Sequence, residues 1–261
     1  MTLEVLVSTV NSEPKELIKK MHIDSDAIII NQCDKNSYEE LKINNNLIKV
    51  YNFNERGVGL SRNNALMRAN SDIVLFADDD EVLVDNYKKI IIEEFQRKPK
   101  IDMFIFGIKS NNGERTAYEI KKSHRVKKIN CLKYGAVRVA VRLNKIRKNN
   151  INFSLLFGGG AKYGSGEDSI FIYDCLKNKL NTYTSPKVIA LVDFSESSWF
   201  AGYNEKYYFD KGALFYALHK DYALFFSVIY LIRHMNESKN ISIFRKIKCF
   251  KNGIFDMKGS S

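Results

Sequence analysis

The chain has little of what marks several common protein classes. It holds three prolines and no long Ser- or Gly-rich tract, so no flexible linker divides it. Its four cysteines, Cys33, Cys131, Cys175 and Cys249, lie far apart and never pair as C-x-x-C. That spacing excludes a disulfide scaffold and lacks a zinc-ligand pattern, and reduced thiols in the cytoplasm are the expectation. The uncharged run Tyr222 to Ile232 is too short for a membrane span, which needs ~20 apolar residues. The opening "MTLEVLVSTVN" has no basic n-region and no small-residue cleavage site, and it reads as a strand rather than a signal peptide. No internal repeat is visible. The single tryptophan, Trp199, reads as packing more readily than as a sugar platform.

What is present in excess is positive charge, and it is localised. The formal net charge is +11, and residues 109–148 carry 13 Lys/Arg against 2 Asp/Glu, which leaves the rest of the chain neutral. A focused basic stretch suits an anionic partner: a phosphate-bearing substrate, an acidic membrane or nucleic acid. A merely solvated face in a Lys-rich chain explains it equally well.

Apolar and polar segments alternate from residue 2 to about 108. "LEVLVSTV", "DAIIINQC", "LIKVYNF", "DIVLFADD" and "IDMFIFGIK" read as strands. Helices are expected at "EPKELIKKMH", at "GLSRNNALMRAN" with Ser61 as N-cap, and at "DNYKKIIIEEFQRKP", closed by Pro99. "YEELKINN" reads as a short helix or turn. The alternation implies an α/β fold, a mainly parallel sheet with helices on both faces. Ligands of such sheets bind beyond the carboxyl ends of the strands. Asn11, Asn31, Gln32, Asn54 and Asp78 to Asp80 all fall at those ends. Shorter strands with basic residues outward are expected from 116 to 146. A Gly-rich loop then leads into a helix near Ser165, and a late strand follows at "KVIALVDFS". From about residue 203 the chain reads as helical, aromatic and basic.

Two acidic motifs carry the chemistry. In "FADDDE" the carboxylates of Asp78, Asp79, Asp80 and Glu81 crowd the end of a greasy strand, which is stable only with a counter-charge. Hard divalent cations, Mg²⁺ or Mn²⁺, take oxygen ligands and share them with substrate phosphates. Arg56, Arg62 and a helix N-terminus at the same edge favour a phosphate. In "GSGEDSIF", Glu167 and Asp168 open a helix behind a Gly-rich loop. This is either favourable dipole placement or a general base on a closing loop.

The first strand ending in Thr9 to Asn11, then "GLSRNNAL", "ADDDE" and "GSGEDSIF", in that order and spacing, resemble glycosyltransferase family 2 of the GT-A fold over about residues 2 to 200. The C-terminal "KGALFYALHKDYALFFSVIY" is similar to the tails of bacterial polysaccharide-assembly members. The resemblance implies a GT-A domain over 1–202, with a nucleotide-sugar-binding half (1–108) and an acceptor half (109–202), and a helical basic and aromatic tail over 203–261. It implies a donor site from Thr9, Asn11, Gln32, Arg56, Arg62 and Asp78 to Asp80. The metal would sit on Asp80 first and Asp78 second, with Asp193 a further candidate. Glu167 and Asp168 would meet the acceptor, and Asp168 would act as base. The activity implied is inverting transfer from a nucleotide sugar, UDP-linked by expectation, to a hydroxyl of a growing cell-surface polysaccharide or a lipid-linked saccharide. The aromatic and basic tail leaves an anionic membrane surface as a further candidate partner, for an enzyme expected in the cytoplasm, either free or peripheral on the inner face of the cell membrane. One departure leaves the nucleotide open: the acidic pair that ends the family's second strand is replaced by Asn31, Gln32 and Cys33.

Other classes remain in competition. A nucleotidyltransferase would need a phosphate loop after the first strand, which "STVNSEP" is not. A nucleic-acid binder would use residues 109–148, but Tyr118 and Tyr134 are the only aromatics there for stacking. A non-catalytic sugar-nucleotide binder is the third alternative.

Overall fold

Leu3, Val5 and Val7 of the first strand point to one side of a sheet and Leu6 to the other, and all are buried. A strand apolar on both faces must lie in the middle of a covered sheet. A computed structural model describes residues 1–110, 118–192, 202–234 and 240–260 and places it there. In chain order the first half contains β1 (Leu3–Val10), α1 (Pro14–Lys20), β2 (Asp26–Gln32), β3 (Ser37–Ile43), β4 (Asn46–Phe53), α2 (Val58–Arg68), β5 (Ile73–Asp78), β6 (Glu81–Leu83), α3 (Tyr87–Arg97) and β7 (Met103–Ser110). Two short 3-10 turns, Lys128–Lys133 and Ala136–Arg138, precede β8 (Val139–Arg142). Then come α4 (Leu143–Lys148), α5 (Glu167–Lys177), β9 (Thr182–Val192), α6 (Glu205–His219), α7 (Ala223–Arg233) and α8 (Ile243–Gly259).

Among the described residues the nine strands form one sheet in the order β3-β4-β2-β1-β5-β8-β7-β9-β6. The segment β4-β2-β1-β5 is parallel; β8 runs antiparallel between β5 and β7. The fold is therefore the mixed, mainly parallel sheet expected. Leu17, Ile91 and Phe95 cover one face through α1 and α3; Ala65, Leu66, Phe171 and Ile172 cover the other through α2 and α5. The register lays Ser8 beside Asp78 and Thr9 beside Asn31, so polar residues from β1, β2 and β5 end in one row.

Three local readings are corrected. Residues 37–43 form the edge strand β3, paired antiparallel with β4, not a helix or turn. Helix α2 starts one turn before Ser61, with Gly57 at the N-cap; Ser61 is buried inside it and its hydroxyl donates to the Ser8 hydroxyl at 2.9 Å. In the described part of 116–146, 3-10 turns, β8 and α4 replace most of the expected strands.

The tail is packed against the rest through the loop before α5. Phe157 and Tyr163 share a cluster with Ala213, Leu214, Leu218 and Met257. Gly164 donates its N–H to Asp210 at 3.0 Å, and the Tyr163 hydroxyl donates to Asp256 at 2.6 Å.

Candidate functional site

The site is organised by one buried cation. Arg62 is only 2% exposed, on the inward face of α2. Its Nη2 donates to both carboxylate oxygens of Asp78 at 3.0 Å. Its Nη1 donates to Glu167 at 3.1 Å and to Asp168 at 2.6 Å. Asp78 ends β5 and the two acids open α5, so a single guanidinium ties the two motifs that the sequence keeps some 90 residues apart. Burial alone would lower the pKa of this guanidinium, but Asp78, Asp168 and Glu167 more than reverse that, and it stays charged.

The remaining geometry distributes the acids. Asp79 accepts from the Thr9 hydroxyl, which also meets Ser12. Among the described residues Asp80 has no ion pair, and its carboxylate accepts a hydrogen bond from its own backbone N–H. Burial, then the neighbouring Asp78 and Asp79, push its carboxyl up to about 6. Glu81 is fully buried, neither of its oxygens finds a hydrogen-bond partner, and burial pushes its pKa well above the usual carboxylate range. Burial and then Asp168 push Glu167 up to about 7. Asp168 is fixed at both oxygens, by Arg62 on Oδ1 and by the Ala136 N–H on Oδ2 at 2.9 Å.

These groups open onto a cavity of about 550 Å³. Arg62, Asp78, Asp80, Glu167 and Asp168 line it, with Tyr134, Arg138 and Lys211 also in its wall. The Gly-rich loop forms part of the rim. Gly158 has a φ of +104°, and a Cβ there would stand 2.8 Å from the Glu167 carboxyl carbon, so the close approach of the loop to the acids requires glycine.

Not every predicted residue joins this constellation. Asn11 stands at the end of β1 with a φ of +50°, donating its N–H to Gln32 O at 3.2 Å. Gln32 is buried with Oε1 unpaired. Arg56 pairs with Asp34 at 2.9 Å on the surface, away from the cavity wall. At the α2 N-terminus the Val58 N–H is taken by Gly159 O at 3.0 Å. Asp193 and Trp199 lie outside the described residues. Sequence reasoning passed over Arg138, which is 2% exposed, with Nη2 unpaired among the described residues and its pKa lowered to about 10 by burial. It also passed over Lys211; both were read only as part of a basic background.

Among the described residues no group of three or more His, Cys, Asp or Glu is arranged to hold a metal ion by itself. The donor set still fits a divalent cation shared with a ligand: Asp80 has no ion-pair partner among the described residues, burial and its acidic neighbours hold its pKa up, and a hard cation would relieve that crowding.

The model described as glycosyl transferase family 2 matches residues 14–160. No curated protein matches the chain in a sequence search. Among solved structures, residues 1–349 of S. aureus TarS in complex with UDP-GlcNAc superpose with a TM-score of 0.70 at 18% identity, covering 98% of this chain and 80% of that one. The larger S. aureus TarS structure gives 0.67 at 19% identity, covering 100% of this chain and 49% of that one. The mannosyltransferase PcManGT from Pyrobaculum calidifontis, in complex with GDP-Man and Mn²⁺, gives 0.54 at 10% identity, covering 100% and 88%. At these identities the likeness to solved structures is one of fold.

Proposed function

This chain belongs to glycosyl transferase family 2, and on that premise we propose that it moves a sugar, with inversion and with the help of Mn²⁺ or Mg²⁺, from a nucleotide-sugar donor to an acceptor hydroxyl. The observation that carries this reading is the Arg62 clamp. It ties an acid suited to a metal-bound diphosphate and the acid suited to a base together in the wall of one cavity. The donor is taken as UDP-linked, since TarS structures hold UDP-GlcNAc and UDP. Its diphosphate lies over the strand ends beside Asp80 and Asp78.

Asp168 takes the proton of the acceptor hydroxyl. The oxygen forms its bond to the anomeric carbon as the bond to the diphosphate breaks on the opposite face. One in-line displacement needs one catalytic carboxylate. Arg62 and the Ala136 N–H keep that carboxylate oriented, a form of preorganisation that the site does not have to rebuild in each turnover. Asp80, with Asp78 behind it, would hold the metal; when bound, the metal supplies positive charge to the departing diphosphate. Glu167, neighbouring the base and bound to the same guanidinium, borders the acceptor.

The variant Asp168→Asn tests the assignment. General-base catalysis contributes about 10²–10⁴-fold, so transfer should fall by that factor. Thermal stabilisation by nucleotide sugar and Mn²⁺ should survive. Transfer at the wild-type rate would remove Asp168 from the role.

A further inference from the structure

Helix α7 has no charged residue between Ala223 and Ile232. Its inward face, Ala223, Ser227 and Leu231, is buried against α6 and α8. Its outward face is just as apolar: Leu224, Phe225, Val228 and Ile232 are 40% to 66% exposed. A helix on a water-facing surface ordinarily presents polar residues there, and an apolar patch of this kind marks an interaction site.

Helix α8 supplies the second half. At 3.6 residues per turn, Phe244, Lys248, Lys251 and Phe255 fall within a sector of about 60°. All four are exposed, Phe244 at 87% and Phe255 at 79%. Bulky aromatics between lysines on one stripe suit a surface that is apolar below and anionic above. Among the described residues the acids nearby are Asp221 at the head of α7, Glu205, which pairs with Arg245, and Asp256, which pairs with Lys162 at 2.7 Å.

The basic stretch picked out by the sequence adjoins this region. Lys128 Nζ stands 5.2 Å from the Tyr173 ring, Tyr173 meets His219 edge-on at 5.2 Å, and His219 stacks on Phe226 of α7 at 4.2 Å. The same turn exposes Ile129 at 85%, among the exposed Lys121, Lys122, Lys127 and Lys128. It ends in Leu132 and Lys133, which line the cavity.

We infer that α7, the α8 stripe and the Lys128–Lys133 turn form a docking surface for an anionic lipid bilayer, with the cavity opening at its edge. Charge decides between a bilayer and a second copy of the chain. A symmetric pair would bring lysines against lysines, whereas an anionic leaflet attracts each basic residue. Docking does not depend on the transfer chemistry. That the surface presents a lipid-borne acceptor to Asp168 rests on the transferase reading.

The test is co-sedimentation of the full chain with vesicles of phosphatidylcholine, alone or mixed with phosphatidylglycerol. The protein should bind the mixed vesicles, bind phosphatidylcholine weakly, and detach as salt rises. Phe225→Ser/Ile232→Ser, which changes only exposed side chains, should lower partitioning more than tenfold. Lys248→Glu/Lys251→Glu should do the same and flatten the salt dependence. Both variants should keep the thermal stabilisation given by UDP with Mn²⁺. If UDP stabilises neither wild type nor variants, the reading of a UDP-linked donor fails while docking stands. Wild-type protein that ignores phosphatidylglycerol vesicles overturns the inference. So does a Phe225→Ser/Ile232→Ser variant that binds vesicles as before but turns a dimer into a monomer in sedimentation velocity, because the face then belongs to a second copy.

Discussion

At the scale of single residues, the three consecutive aspartates have three different fates. Asp78 is neutralised by Arg62, Asp79 is held by Thr9, and Asp80 is left to a ligand. The sequence made the cluster visible, and the helix-opening Glu167 and Asp168 as well. It did not make visible that Arg62 binds both sets, since that depends on where β5 and α5 meet. The Asp80 assignment has a pH consequence. Its carboxyl, raised to about 6 by burial and by Asp78 and Asp79, is protonated below that pH and charged above it. Metal binding needs the charged form and displaces the proton. Affinity for Mn²⁺ with a nucleotide sugar should therefore fall about tenfold per pH unit below about 6, and level off above it. The nucleotide sugar is the right probe, because the terminal phosphate of a free diphosphate titrates in the same range. Glu167, at about 7, also titrates nearby. Asp80→Asn separates the two: it should abolish the Mn²⁺-dependent shift in melting temperature at every pH. A shift of equal size at about pH 5 and about pH 8 would show that Asp80 is not the metal ligand.

At the scale of elements, legibility followed burial. β1, β2 and β5 are apolar on both faces and were readable as central strands. β3 is an edge strand with most side chains in water, so "SYEELKI" carries no alternation and was misread. Ser61 looked like a cap because its residue type favours one. The helix starts earlier because Gly57 and Val58 dock on the loop around Gly159, a contact no local pattern announces. The tail helices were legible as helices, but their mutual fit was not. Gly212 and Gly253 let α6 and α8 approach so closely that a Cβ on Gly253 would stand 1.9 Å from Phe209 O, and one on Gly212 would stand 2.3 Å from Phe250 O. Gly253→Ala should force the helices apart. Overpacking of this kind costs about 3 kcal/mol, which for a chain of this size lowers the melting temperature by about 6–12 °C. Limited proteolysis should then cut within the tail first. An alanine variant that melts with wild type would mean that α6 and α8 do not pack on these glycines.

At the scale of the whole molecule, the tail holds the site as well as facing outward. Among the described residues the two sheet-covering clusters contain none beyond 192, so the core beneath the strand ends that carry Asp78 to Asp80 is built without the tail helices. The loop leading to Glu167 and Asp168 does: Gly164 is anchored to Asp210, and Tyr163 and Lys162 to Asp256. The sequence suggested an appendage because aromatic helices after a complete sheet look separable. What it could not show is that Tyr163 and Phe157, from the loop before α5, are buried by that appendage. The double variant Asp210→Ala/Asp256→Ala, in the full chain, isolates this dependence. Leaving a part-buried partner such as the Gly164 N–H unpaired costs up to about 1–3 kcal/mol, so the melting temperature should drop. Donor binding, read as stabilisation by nucleotide sugar with Mn²⁺, should persist, because the strand ends are untouched. Transfer, including slow transfer to water, should fall more than tenfold, because the loop no longer fixes Asp168 against Arg62. A variant that melts early yet transfers at the wild-type rate would show that the position of the base is set by Arg62 and Ala136 alone, without the tail.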